Sequence, residues 1–125
     1  MFTDAFPILS TPDLDRALAF YRDLLDGRVT YQFPPEGDSA YVALEIGRAE
    51  LGIAHDPRSP DGVGGRIALW LYAEDCDLAV ERLRAAGVTI TAEPEDQPWG
   101  ERIARVRDPD GNDVIIGQRG PEGAS

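Results

Sequence analysis

The order of predicted elements repeats once along the chain, and this repetition is the feature that most restricts its fold. A short pattern recurs where a helix gives way to a strand, Gly-Arg-Val at residues 27–29 and Gly-Val at 87–88. Before each pattern, apolar residues recur at three- and four-residue spacing, which predicts helices over residues 13–26 and 77–86. Glycine is typical of the C-terminal end of a helix, so both patterns mark a transition from helix to strand. The same transition in each half of the chain predicts two similar units.

Runs of apolar, β-branched and aromatic residues predict strands before and after each helix. Turn signals separate these runs, the strongest being Asp-Pro-Asp-Gly-Asn at residues 108–112. The predicted strands cover residues 5–10, 29–33, 39–46, 49–54, 66–72, 88–92, 101–107 and 113–118. Both halves therefore have the order β-α-β-β-β, which places the chain in the α+β class. We expect one domain over residues 1–125, with a first module at 4–54, a linker at 55–65, a second module at 66–118 and a flexible tail at 119–125.

The charge of the chain restricts its partners. The formal net charge is −11, and all twelve basic residues are arginine. A surface this acidic repels the phosphates of nucleic acids and of anionic membranes, so neither is expected as a partner. A cationic small molecule would instead be attracted, although an acidic surface also serves solubility alone.

The single cysteine and the absence of targeting signals favour a cytoplasmic protein. Cys76 cannot form an internal disulfide, and its acidic neighbours Asp75 and Asp77 oppose thiolate formation, so we expect no catalytic role for it. No segment is long and apolar enough to span a bilayer, and the N-terminus lacks the pattern of a signal peptide.

Four motifs, taken in order, resemble the vicinal oxygen chelate superfamily, in particular its glyoxalase/bleomycin-resistance branch. They are residues 13–21 (Asp-Leu-Asp-Arg-Ala-Leu-Ala-Phe-Tyr), 79–88 (Ala-Val-Glu-Arg-Leu-Arg-Ala-Ala-Gly-Val), 98–102 (Pro-Trp-Gly-Glu-Arg) and 108–112. The resemblance implies two tandem βαβββ modules forming a curved mixed sheet. It also implies a concave binding site and homodimers, with pockets at or near the subunit contact.

The resemblance also implies where metal-using relatives carry their ligands. Counting from the motifs, these positions fall on Phe6, Glu50, Ala68 (or Arg66 if the register slips) and Ile115. Only Glu50 can bind a metal, and one carboxylate does not hold a catalytic ion selectively. The sequence therefore predicts a protein with no metal site and no cofactor. The sole histidine, His55, would need at least two partners converging on it, such as Glu50 and Asp56, to act as a metal ligand.

Apolar side chains at ligand positions predict a cup suited to an aromatic or planar compound. The candidate ligand-binding residues are Phe6, Ile8, Tyr31, Phe33, Tyr41, Glu50, Trp70, Trp99, Arg102 and Ile115. Trp99 could stack on a ligand or cover the edge of the core or a dimer contact. For Trp70, packing in the core or at an interface is favoured. Arg102 could position a ligand acceptor or equally pair with Glu101 or Asp108.

Three functions remain open at this point. The leading hypothesis is a binding protein, not an enzyme, that sequesters an antibiotic or another aromatic or cationic natural product and so protects its bacterial host. The alternative is a metal-dependent lyase, isomerase or dioxygenase of the glyoxalase type, with a degenerate site built on Glu50 and His55. A regulatory or housekeeping module with a filled pocket is the third.

Overall fold

Each half of the chain builds a four-stranded mixed sheet that carries its helix on one face. The chain divides into two units, residues 1–61 and 62–125. The computed structural model describes residues 4–58 of the first and 68–120 of the second. In chain order the elements are β1 (Ile8–Thr11), α1 (Leu14–Leu18) with a π-helical continuation (Ala19–Leu24), β2 (Arg28–Phe33), β3 (Tyr41–Ile46), β4 (Ala49–His55), β5 (Leu69–Tyr72), α2 (Cys76–Ala85), β6 (Thr89–Asp96), β7 (Arg102–Arg107) and β8 (Asp113–Gln118).

The two sheets have the same topology, which confirms the predicted tandem βαβββ modules. The strand orders are β1-β4-β3-β2 in the first unit and β5-β8-β7-β6 in the second. In each, the first strand of the module runs parallel to the last, and the other pairs are antiparallel. Three antiparallel strands in sequence thus form a meander, to which the first strand is added at one end.

Side-chain alternation divides each sheet into two faces. One face packs against the helix and holds the buried side chains Val42, Leu44, Leu51 and Ile53 in the first unit, and Ala104, Val106, Val114 and Ile116 in the second. We call the opposite face of each sheet its open face. Buried helix residues, Ala17, Leu18, Phe20 and Tyr21 in the first unit and Cys76, Val80 and Leu83 in the second, complete the two cores.

The first helix departs from the predicted regular α-helix over residues 13–26. It begins after Asp13, whose side chain accepts a hydrogen bond from the Arg16 amide, and it becomes π-helical from Ala19 onward. The Leu25 amide accordingly donates to the Phe20 carbonyl, five residues back. The widened turn lets Phe20 join Tyr21 in the core, where the two rings meet edge to face at 4.8 Å.

Several predicted strand limits were wrong. The first strand starts at Ile8 rather than at residue 5, so Phe6 precedes it. The run Glu93–Asp96, predicted as loop, continues β6 and pairs with β7 through a shifted register. Pairing across the sheet thus overrides the weak strand propensity of proline and acidic residues there. Residues 66 and 67 of the predicted fifth strand lie outside the described residues.

Candidate functional site

The open face of the first sheet carries a group of exposed apolar side chains. Ile8, Tyr31 and Phe33 are all more than half exposed, and the register places them on this face beside Tyr41 and Gly52. The Tyr31 and Tyr41 ring centroids are 6.2 Å apart. Since large apolar side chains normally avoid water, a surface formed in this way is a candidate binding surface.

Gly52 makes room for the Tyr41 ring on this face. A Cβ atom at Gly52 would lie within 2.8 and 2.9 Å of two carbons of that ring, closer than real Cβ contacts. The tyrosine side chain therefore lies flat across the backbone of β4. This gives the face a shallow aromatic floor between β1 and β3.

The second sheet repeats this arrangement with tryptophan. Trp70 pairs with Ile115 across β5 and β8, and a Cβ atom at Gly117 would lie 2.9 Å from the Trp70 indole nitrogen. Tyr72 follows on the same face, with its ring centroid 6.0 Å from that of Trp70. Ile115 is buried beneath these neighbours, whereas Trp70 and Tyr72 stay about two-fifths exposed. Both open faces therefore present aromatic rings over a glycine.

A buried carboxylate connects this face to the loop before β7. Glu101 is only 4 % exposed, and its two oxygens accept from different donors, Trp99 Nε1 at 2.7 Å and Tyr72 Oη at 2.8 Å. The hydrogen bond to Glu101 raises the pKa of the Tyr72 hydroxyl above its usual value, since the neutral phenol is the form that donates. Trp99, more than half exposed, is thus held by a carboxylate rather than by burial in the core.

The loop that presents Trp99 is closed by backbone hydrogen bonds. The Gln97 amide donates to the Glu101 carbonyl at 2.7 Å, and the Gly100 amide donates to the Gln97 carbonyl at 3.0 Å. Gly100 has φ +101°, a conformation that favours glycine. The turn therefore fixes the position from which the indole reaches Glu101.

A guanidinium group lies on the same cluster. Arg119 places its Cζ atom 3.9 Å from the centre of the Tyr72 ring, within cation–π range. Beside it is a cavity of about 310 Å³ lined by Tyr72, Ala73, Glu74, Gln118 and Arg119. This corner of the second unit thus combines an aromatic surface, a buried carboxylate and a concave space.

Of the remaining predicted site residues, Phe6, Glu50 and Arg102, only Glu50 lies on an open face. Phe6 is exposed ahead of β1, and Glu50 is an exposed residue opposite Glu45 on the open face of the first sheet. Arg102 lies on the helix side of its strand, where it donates to Asp77 at 2.9 and 3.1 Å and to Asp96 at 3.0 Å. These two aspartates, rather than Glu101 or Asp108, are the partners of Arg102.

The positions predicted to correspond to metal ligands in relatives carry side chains that do not suit a divalent ion. Phe6, Ala68 and Ile115 supply no donor, and Arg66 lies outside the described residues. Across residues 4–58 and 68–120, no three or more His, Cys, Asp or Glu side chains are grouped as a metal site would need. Glu50 and His55 do not converge either, because five residue steps along β4 separate them by about 16 Å and place them on opposite faces. His55 Nε2 instead lies 3.2 Å from the Pro12 carbonyl.

Sequence reasoning missed Tyr72, Glu101 and Arg119. Tyr72 and Glu101 are 29 residues apart, and no local sequence pattern indicates that their side chains form a hydrogen bond. It also missed a cavity of about 500 Å³ in the first unit, on the helix side, with Asp13, Leu18 and His55 in its wall. The usable signal for the first group was the Pro-Trp-Gly-Glu segment, in which only the tryptophan was singled out.

No helix among the described residues is long and apolar enough to cross a membrane.

Comparison with known proteins identifies relatives of this fold. The sequence model of the Glyoxalase/Bleomycin resistance protein/Dioxygenase superfamily matches residues 5–116. The uncharacterized protein Mb0911c of Mycobacterium bovis is 30 % identical over 122 residues, covering 90 % of this chain and 80 % of the relative. A longer M. bovis protein, CFP32, which is named provisionally as a glyoxylase, is 33 % identical over 103 residues, covering 82 % of this chain and 39 % of CFP32.

Solved structures also resemble the chain along nearly its whole length. TioX from Micromonospora sp. ML1 gives a TM-score of 0.76 at 24 % identity, covering 94 % of this chain and 99 % of TioX. A bleomycin-binding protein crystallised with bleomycin gives 0.67 at 25 % identity, covering 94 % of this chain and 99 % of that protein. The first likeness concerns the fold, and the second includes a relative with a bound small molecule.

Proposed function

We propose that this chain, which belongs to the Glyoxalase/Bleomycin resistance protein/Dioxygenase superfamily, binds an aromatic or cationic small molecule. By sequestering this molecule, it would protect a bacterial host. The molecule is an antibiotic or a similar natural product. The observation that carries this proposal is the grouping of exposed aromatic side chains on the open faces, where the Tyr41 and Trp70 rings lie against glycines. Rings held in this way can stack on a flat ligand without first being ordered.

Two further observations support a ligand of this kind. The net charge of −11 attracts cations over a distance, which raises the rate at which a cationic compound arrives. The bleomycin-binding relative, similar along nearly the whole chain, was crystallised with bleomycin. We further propose that the protein acts in the cytoplasm as a homodimer, which sedimentation analysis of the purified chain would test.

The test is a titration followed by tryptophan fluorescence, because both tryptophans of the chain, Trp70 and Trp99, lie at the proposed binding surface of the second unit. Bleomycin, mitomycin and a peptide antibiotic are the probes. We expect a saturable change with at least one of them. The absence of a saturable response to all three, in a protein that melts cooperatively, would overturn the proposal.

A pair of matched variants separates specific binding from general stickiness. Phe33→Ser removes an exposed ring from the open face of the first sheet, and Leu78→Ser removes an exposed apolar side chain from α2, on the helix side of the second sheet. Both variants are compared with the wild type by calorimetry, which does not depend on a nearby tryptophan. Loss of a stacking contact worth about 1 kcal/mol corresponds to a roughly fivefold weaker Kd. We expect this loss for Phe33→Ser alone, whereas equal losses for both variants would contradict binding at the open face.

The alternative is a metal-dependent enzyme of the glyoxalase type, and the name given to CFP32 is the observation in its favour. Metal analysis of protein purified without chelators discriminates between the two functions. A stoichiometric divalent ion that is lost in Glu50→Ala would favour the enzyme. Trace metal unaffected by this substitution would favour the binding protein.

A further inference from the structure

Neither hydrogen bond to the Glu101 carboxylate comes from a cationic side chain among the described residues. Both of its oxygens are occupied by neutral donors, the indole of Trp99 and the hydroxyl of Tyr72. The adjacent arginine, Arg102, points to the other side of the sheet and is bound to Asp77 and Asp96. A charge this well buried favours a cation nearby, because the surroundings screen it less than water does.

The two aromatic side chains contact the carboxylate through polar atoms at their ring edges, and Arg119 lies over the face of one of them, Tyr72. An N–H or O–H that donates to an anion polarises the ring toward it, so the ring faces become more attractive to positive charge. Tyr72 and Trp99 are both more than two-fifths exposed. The cluster of Tyr72, Trp99 and Glu101 therefore has the composition of a cation receptor: aromatic faces outside and a carboxylate beneath.

The chain itself supplies a cation at this place. The guanidinium of Arg119, an exposed residue just beyond β8, lies over the Tyr72 ring and borders the cavity that also has Glu74 in its wall. The geometry thus already accommodates a planar cation. Arg119 is exposed and contacts Tyr72 through the ring and through its hydroxyl, so a ligand cation that makes both contacts can replace it.

We infer that Tyr72, Trp99 and Glu101 form the recognition site for a guanidinium, amidinium or alkylammonium group of the ligand, and that Arg119 occupies this site until the ligand displaces it. The inference rests on the proposed function, since the cation belongs to the molecule that is bound there. It adds the chemical class of the group that is recognised. It also makes Arg119 an internal competitor, so that removing Arg119 should strengthen binding.

The test compares two small probes of the same shape, benzamidinium, which is cationic, and benzamide, which is neutral. Binding is measured by tryptophan fluorescence and by calorimetry. We expect benzamidinium to bind at least tenfold more tightly than benzamide. Glu101→Gln keeps the size of the side chain but removes its charge, and should reduce this preference to about twofold or less. Glu36→Gln, an exposed loop change in the first unit with the same effect on net charge, is the control and should leave the preference intact.

A second variant keeps the inference testable if Glu101→Gln does not fold. Arg119→Gln should tighten benzamidinium binding about threefold, the amount expected when an exposed cation–π competitor is removed, and should leave benzamide unchanged. Weaker binding of benzamidinium to Arg119→Gln would overturn the inference that Arg119 competes with the ligand for this site.

The possible failures are distinguishable. Equal affinity for benzamidinium and benzamide in the wild-type protein would overturn the cation site but leave an aromatic binding surface, and so the proposed function, in place. Antibiotic binding that is insensitive to Glu101→Gln would have the same meaning. Failure of the antibiotic panel itself, as described above, would instead reject the proposed function.

Discussion

Replacing Gly27 by alanine should destabilise the protein far more than the same change at Gly87, although the sequence presents both as glycines that end a helix. At Gly27 a Cβ atom would lie 2.6 Å from the Tyr21 carbonyl oxygen and 3.3 Å from the Arg22 Cα. The Tyr21 oxygen cannot easily withdraw, because it accepts the Gly27 amide at 3.1 Å. A backbone-to-backbone clash therefore has to be relieved by opening the end of the helix.

The magnitude follows from three contributions. Overpacking costs about 1–3 kcal/mol, and a clash with backbone belongs at the upper end of this range. Losing the hydrogen bond to Tyr21 adds about 1 kcal/mol. The lower entropy of the unfolded alanine chain returns about 0.4–1 kcal/mol. The expected loss of unfolding free energy for Gly27→Ala is therefore about 3 kcal/mol.

Gly87 differs because its constraint is conformational. Its φ is +86°, and a Cβ atom there would meet nothing within 4 Å. Alanine is disfavoured in this left-handed region by about 1 kcal/mol. Its amide still donates to the Arg84 carbonyl, and the Val88 amide to that of Leu83, so the end of α2 should persist in the variant.

Urea unfolding at 25 °C, followed by circular dichroism, measures both losses. With about 4 °C of melting temperature per kcal/mol for a chain of this size, Gly27→Ala should melt about 12 °C lower and Gly87→Ala about 4 °C lower. Gly87→Asn serves as a control, because asparagine tolerates the left-handed region and should recover part of the loss. Equal losses for the two alanine variants would refute the steric reasoning at Gly27.

Two further predictions concern the second unit. Gly117→Ala should displace the Trp70 ring by about half an ångström and so shift the wavelength of tryptophan emission. Because the partly exposed ring can move outward, the free energy of unfolding should change by less than about 1 kcal/mol. Unchanged emission would contradict the packing of Trp70 on Gly117. Burial raises the pKa of the Cys76 thiol above its ordinary value near 9, because the buried thiol is favoured in its neutral form. The contribution of this neutral thiol to the free energy of unfolding is complete below pH 9 and declines as the pH rises toward the folded-state pKa, since the unfolded chain ionises first. Urea midpoints between pH 8 and 9.8 should accordingly fall more steeply for the wild type than for Cys76→Ala, and identical slopes would reject this assignment.

Local signals predicted the modules because each element has its own sequence pattern. The last strand, Asp113–Gln118, lies where the sequence predicted it, between the turn at 108–112 and a charged tail. The predicted length of β6 was too short, because Pro94 and its acidic neighbours are typical of a loop. Their pairing with β7 is a non-local interaction that the local sequence does not indicate. The π-helical turn was likewise invisible, because it arises from how Phe20 packs on the sheet.

The candidate site divides in the same way. Ile8, Tyr31, Phe33 and Trp70, which the sequence indicated as candidate lining residues, all lie on the open faces of their sheets, and their role in binding stays a prediction. The sequence could not indicate that Glu101, an acidic residue after a glycine turn, would be buried between two aromatic donors. Whether a carboxylate is buried depends on which side chains from distant parts of the chain pack against it, and the neighbouring sequence does not indicate these contacts.

The parallel pairing of the first and last strands delays the completion of each module during synthesis. Ile8 pairs with Gly52, 44 residues later, and Leu69 pairs with Val114, 45 residues later. At a translation rate of roughly 5–20 residues per second, the opening strand of a module waits about 2 to 9 seconds for its partner to be made. The meander hairpins need no such wait, because their strands are adjacent in sequence. The duplicated layout shortens the exposure of each opening strand, since the first module can close on itself before the helix of the second has been made.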